Sequence, residues 1–132
     1  MEFNEYKQIN NKRYSPKEAL AHYVVVSKEV IGESGKNLVE KLTNIFMENI
    51  NNRAILEKVD VKSLGKIKNY WSLTIGQAVA YGYIVFSNLK FEDKKFTQDE
   101  ITDMFIYVMQ MYSPDNAVEF VEDKLKLDWK LS

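Results

Sequence analysis

The stretch Y-W-S-L-T-I-G-Q-A-V-A-Y-G-Y-I-V-F-S-N-L, residues 70–89, carries no charge in a chain of which 28% of residues are charged. Its length would suit a membrane-spanning helix, a buried central helix, or two strands. The membrane interpretation requires a nearly apolar segment, and Ser72, Thr74 and Gln77 would enter the hydrocarbon. We therefore expect no membrane span and no membrane partner.

The choice between helix and strand rests on the second half of the stretch. Tyr81–Phe86 is rich in residues that favour strands, so an α+β alternative has a small hairpin at about 81–91. The helical interpretation runs over about 73–88, with Ile75, Val79 and Phe86 on one face. A helix that is apolar nearly all round belongs in the middle of a bundle, and the amphipathic segments on either side could cover it. We favour the buried central helix.

The clearest helix starts are capping sequences. Ser15-Pro16 with Glu18, Thr97 with Glu100, and Ser113-Pro114 each place a hydroxyl before a helical first turn. Apolar periodicity then predicts further helices over about 16–31, 36–50, 97–112 and 114–127, a short helical turn at 53–59, and a segment capped by Asp60. The sequence thus predicts an all-α fold, a compact bundle of five to seven helices in a single domain, 1–132. Residues 1–14 are a candidate flexible N-terminal arm.

The periodicity also predicts which side chains face inward. In the segment after Asp60 the expected inward residues include Val61, Tyr70 and Trp71, and in the 97–112 helix they include Met111. We further expect some of the aromatic residues between 70 and 112 to remain on a contact surface, with methionines supplying adaptable apolar area.

The sequence lacks the residues and motifs that several kinds of catalytic and metal-binding site require. The chain has no cysteine and one histidine, His22, and it contains no glycine-rich phosphate loop and no G-x-S-x-G motif. We therefore expect no catalytic residues, no metal site and no cofactor. The absence of cysteine and of a signal-like N-terminus favours a cytoplasmic protein. The abundance of Lys, Asn and Ile is typical of AT-rich bacterial and phage genomes.

Charge is unevenly divided along the chain. Residues 1–90 hold 13 basic and 9 acidic residues, a balance of +4, whereas residues 91–132 hold 5 basic and 10 acidic residues, a balance of −5. Such polarity can orient a partner. The leading hypothesis is a non-enzymatic protein-binding module, such as a small inhibitor, an immunity protein or a phage accessory protein, whose acidic C-terminal third meets a basic partner. The candidate partner-binding residues are Asp99, Asp103, Glu119, Glu122, Asp123 and the apolar anchor Trp129.

Two alternatives remain open. Lys58, Lys62, Lys66 and Lys68 would form a basic helix face near Tyr70 and Trp71, as in a nucleic-acid-binding regulator, although the sequence pI of about 5.9 argues against it. The second alternative is a small-molecule binder or enzyme with an aromatic pocket. Asp99 and Asp103 lie one helical turn apart and could bind a hard cation, but acidic residues in a first turn are explained by the helix dipole.

Overall fold

A computed structural model of the protein describes residues 12–89 and 95–126. Within these ranges the chain forms helices and no strand, so the all-α prediction is confirmed. The elements in chain order are α1 (Pro16–Val26), α2 (Gly35–Glu48), a 3-10 helix (Arg53–Lys58), α3 (Val61–Lys66), α4 (Ile75–Asn88), α5 (Gln98–Met111) and α6 (Pro114–Leu125).

The uncharged stretch forms α4, the helix at the centre of the bundle. Thr74 caps it, because the Thr74 hydroxyl accepts from the Gln77 amide and the Gln77 side chain accepts from the Thr74 amide. Every α4 residue from Ala78 to Phe86 is buried, and the helix contacts α1, α2, α5 and α6. Tyr81–Phe86 is helical, so the hairpin alternative is wrong for the residues described. Its last positions, 90–91, lie outside the described residues.

Gly82 allows α1 and α2 to pack closely on α4. A Cβ atom at Gly82 would lie 2.7 Å from Cε1 of Tyr23 and 3.2 Å from Cδ2 of Leu42. The buried Tyr23 side chain from α1 donates its hydroxyl proton to the carbonyl of Ala78, one turn earlier on α4. The hydroxyl of a buried tyrosine needs such a partner, so this contact fixes how α1 lies across α4.

The first helix is shorter than its apolar pattern predicts. α1 ends at Val26, whereas the pattern continues to residue 31. Turns follow, in which the amide of Glu29 bonds to the carbonyl of Val26 and Gly32 takes a left-handed φ of 80°. Val30 is still buried, although it lies in a turn. Its spacing from the apolar residues of α1 is what made the sequence pattern look helical up to residue 31.

Four residues that were expected to face inward are exposed instead, among them Trp71, which is 38% exposed. Val61 lies two residues before the buried Ser63 on α3, which places it about 200° around the helix. Tyr70 follows α3 in an irregular segment and is 90% exposed. Met111 lies in the last turn of α5, two residues after the buried Met109, and is 59% exposed.

Tyr14 joins the N-terminal segment to the residues that lead into α4. Its backbone forms an isolated antiparallel bridge with Leu73, with both N–H···O distances at 2.8 Å, and both side chains are fully buried. Tyr14 is therefore held in the core. Residues 1–11 of the expected arm lie outside the described residues, so the arm remains a prediction.

The lengths and compositions of the described helices bear on whether the chain could cross a membrane. None of its helices is both long enough and apolar enough to span a bilayer.

Candidate interaction surface

Lys66, a candidate nucleic-acid-binding residue, forms ion pairs with Asp99 and Asp103, which are candidate protein-binding residues. Its Nζ lies 3.6 Å from Oδ1 of Asp99 and 3.4 Å from Oδ1 of Asp103. The two carboxylates project from successive turns of α5, and the lysine reaches them from the end of α3. The charge of Asp99 and Asp103 is therefore partly neutralised within the molecule. Lys66 is likewise less available to bind a nucleic acid than the proposed basic helix face requires.

The start of α5 explains why α3 lies beside it. Thr97 caps α5 in a capping box with Glu100, as the sequence predicts. The side chain of Gln98 then accepts from the amide of Asp60 at 2.9 Å and donates to the carbonyl of Lys58 at 3.1 Å. One side chain thus satisfies two backbone groups of the segment that precedes α3.

The remaining acidic candidates lie on α6. Glu119 and Asp123 are exposed and Glu122 is half-buried, and none of the three forms an ion pair with residues 12–89 or 95–126. Residues 98–125, from α5 to the end of α6, hold seven acidic residues and one lysine, a balance of −6. Including Lys66 leaves −5, so this side of the bundle stays strongly negative.

Large apolar side chains interrupt this acidic surface. Tyr107 is 57% exposed and Met111 is 59% exposed, one turn apart on the outer side of α5. Phe120 on α6 is 37% exposed, and its ring centroid lies 5.3 Å from that of Tyr112, in the α5–α6 connection. We call Trp71, Tyr107, Met111, Tyr112 and Phe120 the aromatic face.

Trp71 belongs to this face through Tyr81. The Trp71 ring, 38% exposed, stacks on the ring of Tyr81 at 6.4 Å between centroids and 9° between planes. The Tyr81 hydroxyl donates to the carbonyl of Tyr112 at 2.8 Å. Burial, helped by the negative charge of Asp115, raises the pKa of Tyr81 above its usual value, so the phenol stays protonated and keeps donating.

A side-chain hydrogen bond connects the first turns of α4 and α6. Nε2 of Gln77 donates to Oδ1 of Asp115 at 3.0 Å. Asp115 follows the Ser113-Pro114 helix start, where the Ser113 hydroxyl accepts from the amide of Asn116 as predicted. Gln77 and Tyr81 are four residues apart on α4, so Asp115 and Trp71 contact the same side of that helix.

The four lysines of the expected basic helix face do not lie on one continuous helix. Lys58, Lys62 and Lys68 are exposed, but they lie in the 3-10 helix, in α3 and after α3, respectively. Lys66 is turned toward Asp99 and Asp103. A phosphate backbone approaching Lys66 would therefore meet two carboxylates.

His22 is part of the core. Its ring stacks on Phe46 at 4.1 Å between centroids, and Nδ1 donates to the carbonyl of Glu18 at 2.6 Å. Burial lowers the pKa of His22 to about 4, so the ring is neutral at pH 7. Among the described residues, no group of histidine and carboxylate side chains is arranged to hold a metal ion.

Three residues of this surface, Tyr107, Phe120 and Asp115, were not predicted from the sequence. Tyr107 and Phe120 lie off the apolar stripes of their helices, and that offset was a signal of exposure. Asp115 carried no such signal, because its relation to Gln77 and Tyr81 depends on how α6 packs on α4. Trp129 lies outside the described residues, so its role as an anchor remains a prediction.

Comparison of the chain with protein-family models, with curated proteins and with solved structures found no match.

Proposed function

We propose that the protein is a non-enzymatic binding module that uses the aromatic face, with its acidic surroundings, to dock a protein partner. The observation that carries this proposal is the exposure of Tyr107 and Met111 within a surface of charge −5. The expected partner presents an apolar patch surrounded by basic residues. The absence of cysteine supports action in a reducing compartment such as the cytoplasm.

The aromatic face has the composition and the rigidity of a binding surface. Aromatic side chains and methionine are enriched at protein interfaces, where a few of them contribute most of the binding free energy. Phe120 and Tyr112 are in ring contact and Trp71 is stacked, so these rings lose little conformational freedom when a partner docks. The face is thus partly organised before binding.

The acidic residues have a different role. Carboxylates around an apolar patch steer an oppositely charged partner and discourage a negatively charged one. Glu119 and Asp123 serve this role directly, because neither is paired within the described chain. Asp99 and Asp103 contribute less, since Lys66 already compensates them. An inhibitor or immunity protein that covers a basic functional surface would have this design.

The test is affinity capture with matched variants. Purified full-length chain, the double variant Tyr107→Ser/Met111→Ser and the single variant Tyr70→Ser are immobilised and exposed to the same bacterial extract. Proteins are then quantified by mass spectrometry. We expect at least one basic protein to bind wild type and Tyr70→Ser equally and to lose about tenfold or more with the double variant, the size expected for hot-spot residues.

Tyr70→Ser is the control because its ring is even more exposed than those of the aromatic face but is not part of that face. If every captured protein responded equally to the double variant and to Tyr70→Ser, binding would reflect general stickiness. The proposal would then be wrong.

A further inference from the structure

The corner formed by Trp71, Gln77, Tyr81 and Asp115 combines an exposed indole with a carboxylate. Trp71 stacks on Tyr81, Gln77 binds Asp115, and both α4 residues lie on one side of the helix. The negative charge of Asp115 also raises the pKa of the Tyr81 phenol, although burial is the larger cause. Indole and carboxylate therefore flank the same turn of α4.

No ion pair of the described chain neutralises this corner. The residues from Tyr70 to Leu89 carry no charge, so α4 itself supplies no cation. None of the ion pairs formed among residues 12–89 and 95–126 includes Asp115. Glu119, one turn further along α6, adds a second exposed negative charge. This contrasts with Asp99 and Asp103, which share Lys66.

The bond from Gln77 leaves most of the Asp115 carboxylate available. It uses one of the two carboxylate oxygens, and a carboxylate has about four acceptor positions. Gln77 also orients the group without neutralising it, because an amide carries no net charge. Asp115 is thus held in place while it stays able to accept from a second donor.

We infer that this corner binds an arginine side chain of the protein partner, with the guanidinium against Trp71 and its N–H groups directed to Asp115. A guanidinium stacks on an aromatic face while its edge donates to a carboxylate, and a lysine ammonium cannot do both with one planar group. The inference rests on the proposed function and specifies the chemical group that the partner supplies.

The test is an NMR titration of the full-length chain with three acetylated, amidated peptides. Each peptide carries three arginines, three lysines or three citrullines separated by glycine. The two indole N–H signals are assigned with a Trp129→Phe sample, because the chain has only two tryptophans. We expect the arginine peptide to shift the Trp71 signal with an affinity about fivefold above that of the citrulline peptide, and the lysine peptide to bind in between.

Two isosteric variants assign the effect to the corner. Asp115→Asn retains an oxygen that can accept from Gln77, and it should reduce the preference for arginine over citrulline to less than about twofold. Asp123→Asn removes an equal charge two turns further along α6 and should leave the preference unchanged. Equal binding of arginine and citrulline, equal binding of arginine and lysine, or equal effects of the two variants would each overturn the inference.

This result is separable from the proposed function. If Asp115→Asn leaves partner capture intact while Tyr107→Ser/Met111→Ser abolishes it, the aromatic face stands and the arginine site falls. If the double variant has no effect on capture, the proposed function itself fails.

Discussion

At the scale of single residues, Gly82 decides how closely the helices approach. We expect Gly82→Ala to destabilise the fold by about 1–3 kcal/mol, because the new methyl group would overlap the Tyr23 ring at 2.7 Å. This overlap should exceed the helix-propensity gain of about 1 kcal/mol that alanine brings. Urea unfolding of the two proteins measures the difference.

Gly65 supplies the matched control. It lies in α3, and a Cβ atom there would meet nothing within 4 Å. Gly65→Ala should therefore be neutral or stabilising by up to about 1 kcal/mol. Equal effects of the two substitutions would mean that α1 does not pack against Gly82 as described.

His22 predicts a pH dependence of stability. Burial lowers its folded-state pKa to about 4, whereas an unfolded histidine titrates near 6.5. Between these values the unfolded chain binds more protons, so stability should fall as the pH drops from 6.5 to 4 and should be constant, for this group, above 6.5. The hydrogen bond to the Glu18 carbonyl and the negative charge of Glu18 raise the pKa, Lys12 lowers it, and burial outweighs the two raising effects.

The measurement compares urea unfolding of wild type and His22→Asn at pH 7 and pH 4.5. For each protein, the free energy of unfolding at pH 4.5 is subtracted from that at pH 7. A loss of stability that is the same at both pH values therefore cancels. Wild type should lose about 2 kcal/mol more than the variant over this interval. Parallel losses in both proteins would show that His22 is accessible to protons in the folded state.

At the scale of elements, Gln98 holds the segment before α3 against α5. Gln98→Ala removes two hydrogen bonds, to Asp60 and to Lys58, and should cost about 1–2 kcal/mol. Gln98→Glu keeps the acceptor for Asp60 but cannot donate to Lys58, so its loss should be smaller. Hydrogen exchange at the Asp60 amide reports the effect locally. Unchanged protection in both variants would contradict the described contact.

The order and caps of the helices could be predicted from the sequence because they are local. The Ser15, Thr97 and Ser113 starts and the buried helix at 75–88 all follow from residues within one or two turns. The end of α1 could not be predicted, because Val30 is buried from a turn. Local patterns cannot distinguish a helical residue from a turn residue that reaches the same core.

The candidate surface was predictable only in part, for a related reason. Net charge located the acidic region, and α6 presents Glu119 and Asp123 as expected. The pairing of Lys66 with Asp99 and Asp103 spans more than thirty residues of sequence and depends on how α3 packs on α5. Acidic residues that look equivalent in the sequence therefore differ in the fold: Asp99 and Asp103 are paired with Lys66, whereas Glu119 and Asp123 form no ion pair within the described chain.

At the scale of the whole molecule, the central position of α4 accounts for both the uncharged stretch and the charged surface of the helices around it. Because α4 lies at the centre, the helices that cover it must present their polar sides outward. α5 and α6 do so with acidic residues but also leave Tyr107, Met111 and Phe120 exposed. Exposed aromatic groups of this kind are typical of binding surfaces.

The most direct test of the aromatic face is hydroxyl-radical footprinting of the protein alone and in complex with its captured partner. Tyrosine, phenylalanine, tryptophan and methionine side chains react readily with hydroxyl radicals. The reactivity of the aromatic face and that of the control residue Tyr70 can therefore be measured in one experiment. We predict that Tyr107, Met111 and Phe120 lose reactivity in the complex while Tyr70 keeps it. Protection of Tyr70 with unchanged reactivity of Tyr107 and Met111 would contradict the account.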